Sequence, residues 1–288
     1  MRADVLTLDI LSETEAPEVK LTAAILVVAT ATAASAATAA APTVASAPGL
    51  VVSSGGSIYV EGEKVTRGTQ PAWSPDGERI AFARLGRLYV ANRDGSNERR
   101  ISPSNVAYWP AWSPDGETIA YTAGRDIYTV AANGGKPRRV TFSDKPWLLR
   151  ATPAYSPDGK TIALTASTDA YNSDIHLVRI GSKELTRLTR TQGTHDVQGE
   201  EHGPSFSPDG RRMVFVSNRA GSFDLFSIGT DGRNERQLTR TPSRDEEQPR
   251  FSRDGKRILF TYNGRVAQMK ADGTGVRELG LGASADWR

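Results

Sequence analysis

The 288-residue chain contains no cysteine. Disulfides, thiolate nucleophiles, cysteine-held metals and lipid attachment through cysteine are all excluded, although this does not decide the compartment. Histidine is nearly as scarce, with three residues, His176, His195 and His202. No G-x-S-x-G elbow occurs; Gly282-Ala283-Ser284-Ala285-Asp286 comes nearest and lacks the final glycine, so an α/β-hydrolase site is excluded. The strongly apolar run Ala23-Ala24-Ile25-Leu26-Val27-Val28-Ala29 falls well short of the ~20 residues needed to span a membrane. The formal charge of +3 is spread along the chain, and no basic cluster marks a nucleic-acid groove.

What is abundant is a repeat. Pro-Ala-Trp-Ser-Pro-Asp-Gly stands at Pro71 to Gly77 and again at Pro110 to Gly116, with close variants starting at Pro153, Pro204 and Pro249. Within each copy, proline suits the second position of a type I turn, aspartate the third, and glycine the left-handed position that follows. Each copy is therefore a tight hairpin. Short runs apolar on both faces follow the turns, as in Ile80-Ala81-Phe82 and Met213-Val214-Phe215, and such strands are covered on both sides. A third strand recurs as Leu88-Tyr89-Val90, Ile127 to Val130, Ile175 to Val178, Leu225 to Ile228 and Val266 to Met269. The fourth is expected at Arg100-Ile101-Ser102, Arg139-Val140-Thr141, Arg187-Leu188-Thr189, Gln237-Leu238-Thr239 and Glu278-Leu279.

Repeats of this length with four antiparallel strands read as propeller blades. Leu50 to Val52, Ile58 to Val60 and Lys64 to Arg67 match strands two, three and four, and Ala285 to Arg288 matches a first strand. The expected fold is all-β, a six-bladed β-propeller spanning residues 48–288 and closed by three N-terminal strands plus one C-terminal strand. Residues 1–47 read as an N-terminal segment containing a signal peptide at about 19–47, with 1–18 a misassigned start, since Met1 to Val19 carries five acidic residues and one arginine. Export to the periplasm or outside the cell follows, with no stable membrane span once the signal is cleaved.

The Ser-Pro-Asp-Gly hairpins, the Ile-Ala-Phe second strands, the Asp-Ile-Tyr and Asp-Leu-Phe third strands and the Leu-Thr endings resemble the propeller repeats of the TolB family over residues 50–288. Only a signal and a short linker precede Leu50, where TolB has an α/β domain. The resemblance implies a bacterial, non-catalytic propeller, acting as a monomer, that binds a protein or peptide of the cell envelope through its canal mouth and inter-blade loops, with no nucleic acid. The residues just before each first strand approach that mouth: Gln70, Tyr108, Trp109, Leu149, Arg150, Glu201, His202, Glu247, Gln248 and Ser284. The partner-binding set is Gln70, Tyr108, Trp109, Arg150, Glu201, His202, Glu247 and Gln248.

Other candidates have plainer uses. Trp73, Trp112, Tyr155, Phe206, Phe251 and Trp287 share one repeat position and are assigned to blade packing. His176 takes a slot filled elsewhere by Tyr or Phe, hence a core position. Asp126, Asp174 and Asp224 precede third strands, where a carboxylate holds the adjoining loop. No cofactor is expected. The alternative is a divalent metal on His195, Asp196, Glu200 and His202, since imidazole and carboxylate are suitable ligands, and with it a carbohydrate lyase or hydrolase at the canal mouth. The same loop equally suits solvent or a partner, and no catalytic residue is assigned.

Overall fold

The Ser-Pro-Asp-Gly turn is built by its serine. In the computed structural model, which describes residues 43–103, 105–142, 152–167, 172–182, 184–190 and 200–287, Ser74 is buried. Its Oγ accepts the Arg79 N–H at 2.9 Å and donates to Asp76 Oδ1 at 2.5 Å. Asp76 also accepts the Glu78 N–H at 3.0 Å. Gly77 takes a φ of 75° and its N–H bonds the Ser74 carbonyl. The same bonds recur at Ser113, Ser156, Ser207 and Ser252. This hydroxyl bridge sets where the second strand of each blade starts.

Six four-stranded antiparallel sheets result. The first blade in chain order after the closing one holds β4 (Thr69–Trp73), β5 (Arg79–Arg84), β6 (Arg87–Asn92) and β7 (Arg99–Arg100). Next come β8 (Ala107–Trp112), β9 (Thr118–Ala123), β10 (Asp126–Ala131) and β11 (Arg138–Arg139). A third blade has β12 (Ala154–Tyr155), β13 (Thr161–Ser167), β14 (Ser173–Arg179) and β15 (Leu185–Arg187). The fourth has β16 (Glu201–Phe206), β17 (Arg212–Ser217), β18 (Asp224–Gly229) and β19 (Arg236–Gln237). The fifth has β20 (Glu246–Phe251), β21 (Arg257–Tyr262), β22 (Arg265–Lys270) and β23 (Arg277–Leu281). The sixth joins β24 (Ser284–Trp287) to β1 (Leu50–Ser54), β2 (Ser57–Val60) and β3 (Glu63–Arg67), in the order β24-β1-β2-β3. The expected six-bladed, terminally closed propeller is the fold observed.

Second strands carry the core because both their faces are covered. Ile80 and Phe82 pack on Val51 and Ile58 of the closing blade, while Ala81 and Ala83 pack on Ile119 and Tyr121 of the following one. Large residues meet one neighbour and small residues the other. A fully buried Phe82 contributes about 2–3 kcal/mol of apolar burial. His176 is buried as expected, its Nδ1 3.2 Å from the Asp174 carbonyl oxygen.

The fourth strands correct the sequence expectation in four blades. Regular strand ends at Arg100, Arg139, Arg187 and Gln237, and one further backbone bond follows in each, from the N–H groups of Ile101, Val140, Leu188 and Leu238 to the carbonyls of Leu88, Ile127, Ile175 and Leu225. At the next residue the hydroxyl replaces a ladder carbonyl: Ser102, Thr141, Thr189 and Thr239 accept the N–H groups of Leu88, Ile127, Ile175 and Leu225 at 2.8–3.0 Å. Ahead of the sequence-derived boundary at residue 48, Val44 bridges Leu281 in parallel, and Ala45 is buried against Leu259 and Val266. Among the described residues no helix is long and apolar enough to cross a membrane.

Candidate functional site: the canal and its mouth

The six first strands stand around a central canal, each contacting its neighbours on both sides. Canal-facing slots are held by Ala72, Ala111, Ala154, Ser205, Arg250 and Asp286, around a cavity of about 220 Å³. Four slots are small; two adjacent blades place an arginine and an aspartate there. Asp286 accepts the Trp73 N–H at 2.8 Å. Burial raises its pKa above the ordinary carboxylate value, opposed by the Arg250 charge. Sequence reasoning passed over this pair. The signal was available, since Arg250 and Asp286 stand where the other repeats put Ala or Ser.

At the opposite end of four of the six first strands the chain makes a bulge. The register slips between Thr69 and Ala72, Tyr108 and Ala111, His202 and Ser205, and Glu247 and Arg250. The residue before proline in each is left-handed: Gln70 (φ 55°), Trp109 (φ 56°), Gly203 (φ 66°) and Gln248 (φ 53°). Only glycine adopts this conformation freely, and side-chain-bearing residues are held there by surrounding bonds. Those bonds run from blade to blade. Ser284 Oγ lies 2.6 Å from Ser53 Oγ and accepts the Gln70 N–H at 3.1 Å, and Gln70 Oε1 accepts the Trp109 N–H at 3.0 Å. Thr152 Oγ1 does the same for the Gly203 N–H at 3.1 Å.

The mouth residues expected from sequence separate accordingly. Tyr108 is 41% exposed and Glu247 is exposed, with Trp109, His202 and Gln248 half-buried at the rim. His202 packs edge-on against Phe223, with ring centroids 5.4 Å apart. Gln70 lies at the rim but its amide oxygen is engaged by Trp109. Beside them Leu85, 89% exposed, and Val106, 52% exposed, join Tyr108 through the Gly86 turn, whose carbonyl accepts the Ala107 N–H and whose Cα faces the Tyr108 hydroxyl.

Glu201 corrects the expectation. It is fully buried, ion-paired with Arg219 and accepting the Thr189 hydroxyl, so its carboxylate ties one blade to the next and does not face the mouth. Glu246 holds the equivalent position in the next blade, accepting Thr241 Oγ1 at 2.8 Å. Burial is the main cause raising its pKa. Arg150, Leu149, His195 and Asp196 lie outside the described residues. Of the remaining proposed metal ligands, Glu200 donates its backbone N–H to Asn218 Oδ1 at 2.8 Å, and His202 packs edge-on against Phe223 as above. Among the described residues no group of three or more His, Asp or Glu side chains is placed to hold a metal. Asp126 and Asp174 pair with Arg139 and Arg187 across the blade, and Asp224 accepts the Thr241 N–H at 3.0 Å, the structural use expected of them.

Fold and canal define a closed six-bladed β-propeller with an apolar-edged mouth. It is similar to TolB propellers: residues 148–286 match the TolB beta propeller domain. A protein described as TolB from Agrobacterium tumefaciens superposes with a TM-score of 0.65 at 26% identity, over 76% of this chain and 86% of that one. TolB from Acinetobacter baumannii does so with a TM-score of 0.58 at 25% identity, over 73% of this chain and 52% of that one. An uncharacterised protein of Agrobacterium fabrum is 36% identical over 66 residues, 23% of this chain and a fifth (20%) of that relative's length. An oligogalacturonate lyase in complex with manganese shares the fold, at 14% identity, a TM-score of 0.54 and coverage of 73% of this chain and 64% of that one.

Proposed function

We propose that this chain is an exported, non-catalytic scaffold that binds a protein or peptide of the cell envelope through its canal mouth and inter-blade loops. The observation that carries the reading is the exposed apolar edge of Leu85, Val106 and Tyr108 beside Trp109. Contiguous exposed apolar side chains mark interaction surfaces, and tyrosine and tryptophan are the side chains that dominate such contacts. The left-handed bulges at Gln70, Trp109 and Gln248 support the same reading, because strained backbone clusters where a site is preorganised. A mouth fixed by bonds from blade to blade loses little conformational entropy on binding. Similarity to TolB proteins supports the scaffold class.

The test is capture from envelope extract by the purified propeller, with and without EDTA, alongside a variant carrying Leu85→Ser, Tyr108→Ala and Trp109→Ala. The expected result is a specific protein held in EDTA by the parent and lost, by about tenfold or more, in the variant with its thermal melt unchanged. Equal capture by both proteins would reject the mouth as the site, and capture abolished by EDTA would reject the metal-free scaffold.

A further inference from the structure

A groove on the opposite face from the mouth departs in charge from the repeat that builds it. Between the β16–β19 and β20–β23 blades, on the side of the Ser-Pro-Asp-Gly turns, lies a cavity of about 1130 Å³ lined by Arg211, Arg212, Arg236, Lys256, Arg257 and Lys270. Basic residues that look scattered along the sequence are collected here by the stacking of two blades. Only two carboxylates share the lining, Asp231 and Asp272. Both are turned back on their own hairpins: Asp231 accepts the Arg233 N–H at 3.0 Å, and Asp272 accepts the Thr274 N–H at 2.9 Å and its hydroxyl at 2.7 Å. Among the described residues none of the six cations stands in an ion pair.

The matching groove between the closing blade and the β4–β7 blade, about 980 Å³, sets Lys64, Arg79 and Arg93 against Glu61, Glu63, Glu78 and Asp94. Six cations against two carboxylates give a formal +4 in one groove; three against four give −1 in the other. Blade stacking by itself therefore does not call for the positive charge. Two of the cations are oriented: the guanidinium of Arg212 lies 5.7 Å from the Phe251 ring centroid and that of Arg257 5.0 Å from the Trp287 centroid. Gly229 and Ala271 supply an apolar part of the lining, with Ile228 buried beneath them.

We propose that this groove docks an acidic peptide segment of a partner protein. Carboxylates along the segment meet the cationic rim, and an apolar side chain lies against Gly229 and Ala271. A sugar polymer fits less well, because the nearby Phe251 and Trp287 rings, on which a sugar face would stack, already carry arginines. Steering by the rim makes the association salt-sensitive. The canal mouth takes no part, so this site and the proposed scaffold function stand or fall separately.

The experiment is fluorescence anisotropy with the whole chain and a labelled peptide repeating Glu-Glu-Leu, compared with its Gln-Gln-Leu counterpart. Expected is binding of the acidic peptide that weakens about tenfold or more on Arg236→Glu with Lys270→Glu, and in about 0.5 M salt. It should be untouched by Lys64→Glu in the other groove and by Trp109→Ala at the mouth. Thermal melts check that each variant folds, and the single Arg211→Gln variant, expected to weaken binding severalfold, replaces the double one if it does not. The proposal is overturned by equal binding of the Gln peptide, by undiminished binding to the charge-reversed groove, or by polygalacturonate displacing the peptide at equal carboxylate concentration.

Discussion

Five aspartates, Asp76, Asp115, Asp158, Asp209 and Asp254, each receive a serine hydroxyl and then a backbone N–H. These bonds hold their pKa values below the ordinary 3.8. A depressed folded-state pKa means the folded chain binds fewer protons than the unfolded one, so the stabilisation is full above 3.8 and is lost as the pH falls through the folded values. Glu246 has the opposite sign. Burial raises its pKa above 4.5, so the folded state holds the proton more tightly and stability is gained as the pH falls toward 4.5. The melting temperature should therefore rise on mild acidification and drop below pH 3.8. In Glu246→Gln the rise should shrink while the acid loss remains; a parent whose stability falls monotonically from neutral pH would contradict the assignment.

Strands two and three were legible because their residues obey one rule in every repeat, as Ile80, Ile119, Ile162 and Ile258 do at full burial. The fourth strands were read slightly too long: Ile101, Val140, Leu188 and Leu238 still bond the third strand through their N–H groups, whereas Ser102, Thr141, Thr189 and Thr239 meet it through their hydroxyls. What decides their end is a hydroxyl reaching sideways to a third-strand N–H, which no periodicity reveals. The mouth was legible as a place, through the residues before each proline, and misread at Glu201, whose carboxylate looks surface-bound until Arg219 and Thr189 converge on it. The bulges were not legible, since left-handed Gln70, Trp109 and Gln248 carry no glycine to announce them. They give a prediction at this scale. Gln248 makes only a 3.4 Å side-chain bond to the Ala283 carbonyl, so Gln248→Gly should relieve backbone strain worth roughly 1–2 kcal/mol against about 0.5–1 kcal/mol of glycine entropy. The net expectation is a melt that stays level or rises slightly, read by calorimetry; a loss of more than about 1 kcal/mol would show that the bulge is not strained.

The ring as a whole is held shut in one blade. There β1 and β24 pair Leu50 with Trp287, Val51 with Asp286, Val52 with Ala285 and Ser53 with Ser284. Trp73 adds bonds from the neighbouring blade, its indole N–H to the Gly49 carbonyl at 2.9 Å and its backbone N–H to Asp286. Closure leaves no open edge on the inner ring. Removing residues 284–288 exposes the β1 edge and deletes the last canal strand, so the truncated chain should lose cooperative unfolding and be cut by protease in β1 to β3 first. An intact single transition in the truncated chain would show that the other five blades hold the ring without the clasp.

That same pairing has a mechanical meaning. Leu50, the first residue of β1, lies opposite Trp287, the last of β24, so tension applied between the two points does not load the ladder bonds together. It peels them singly, from the Leu50–Trp287 pair toward Ser53–Ser284. A propeller that resists heat through its shared core would yield to a small pull along its own chain, opening like a zip at the blade that joins its ends.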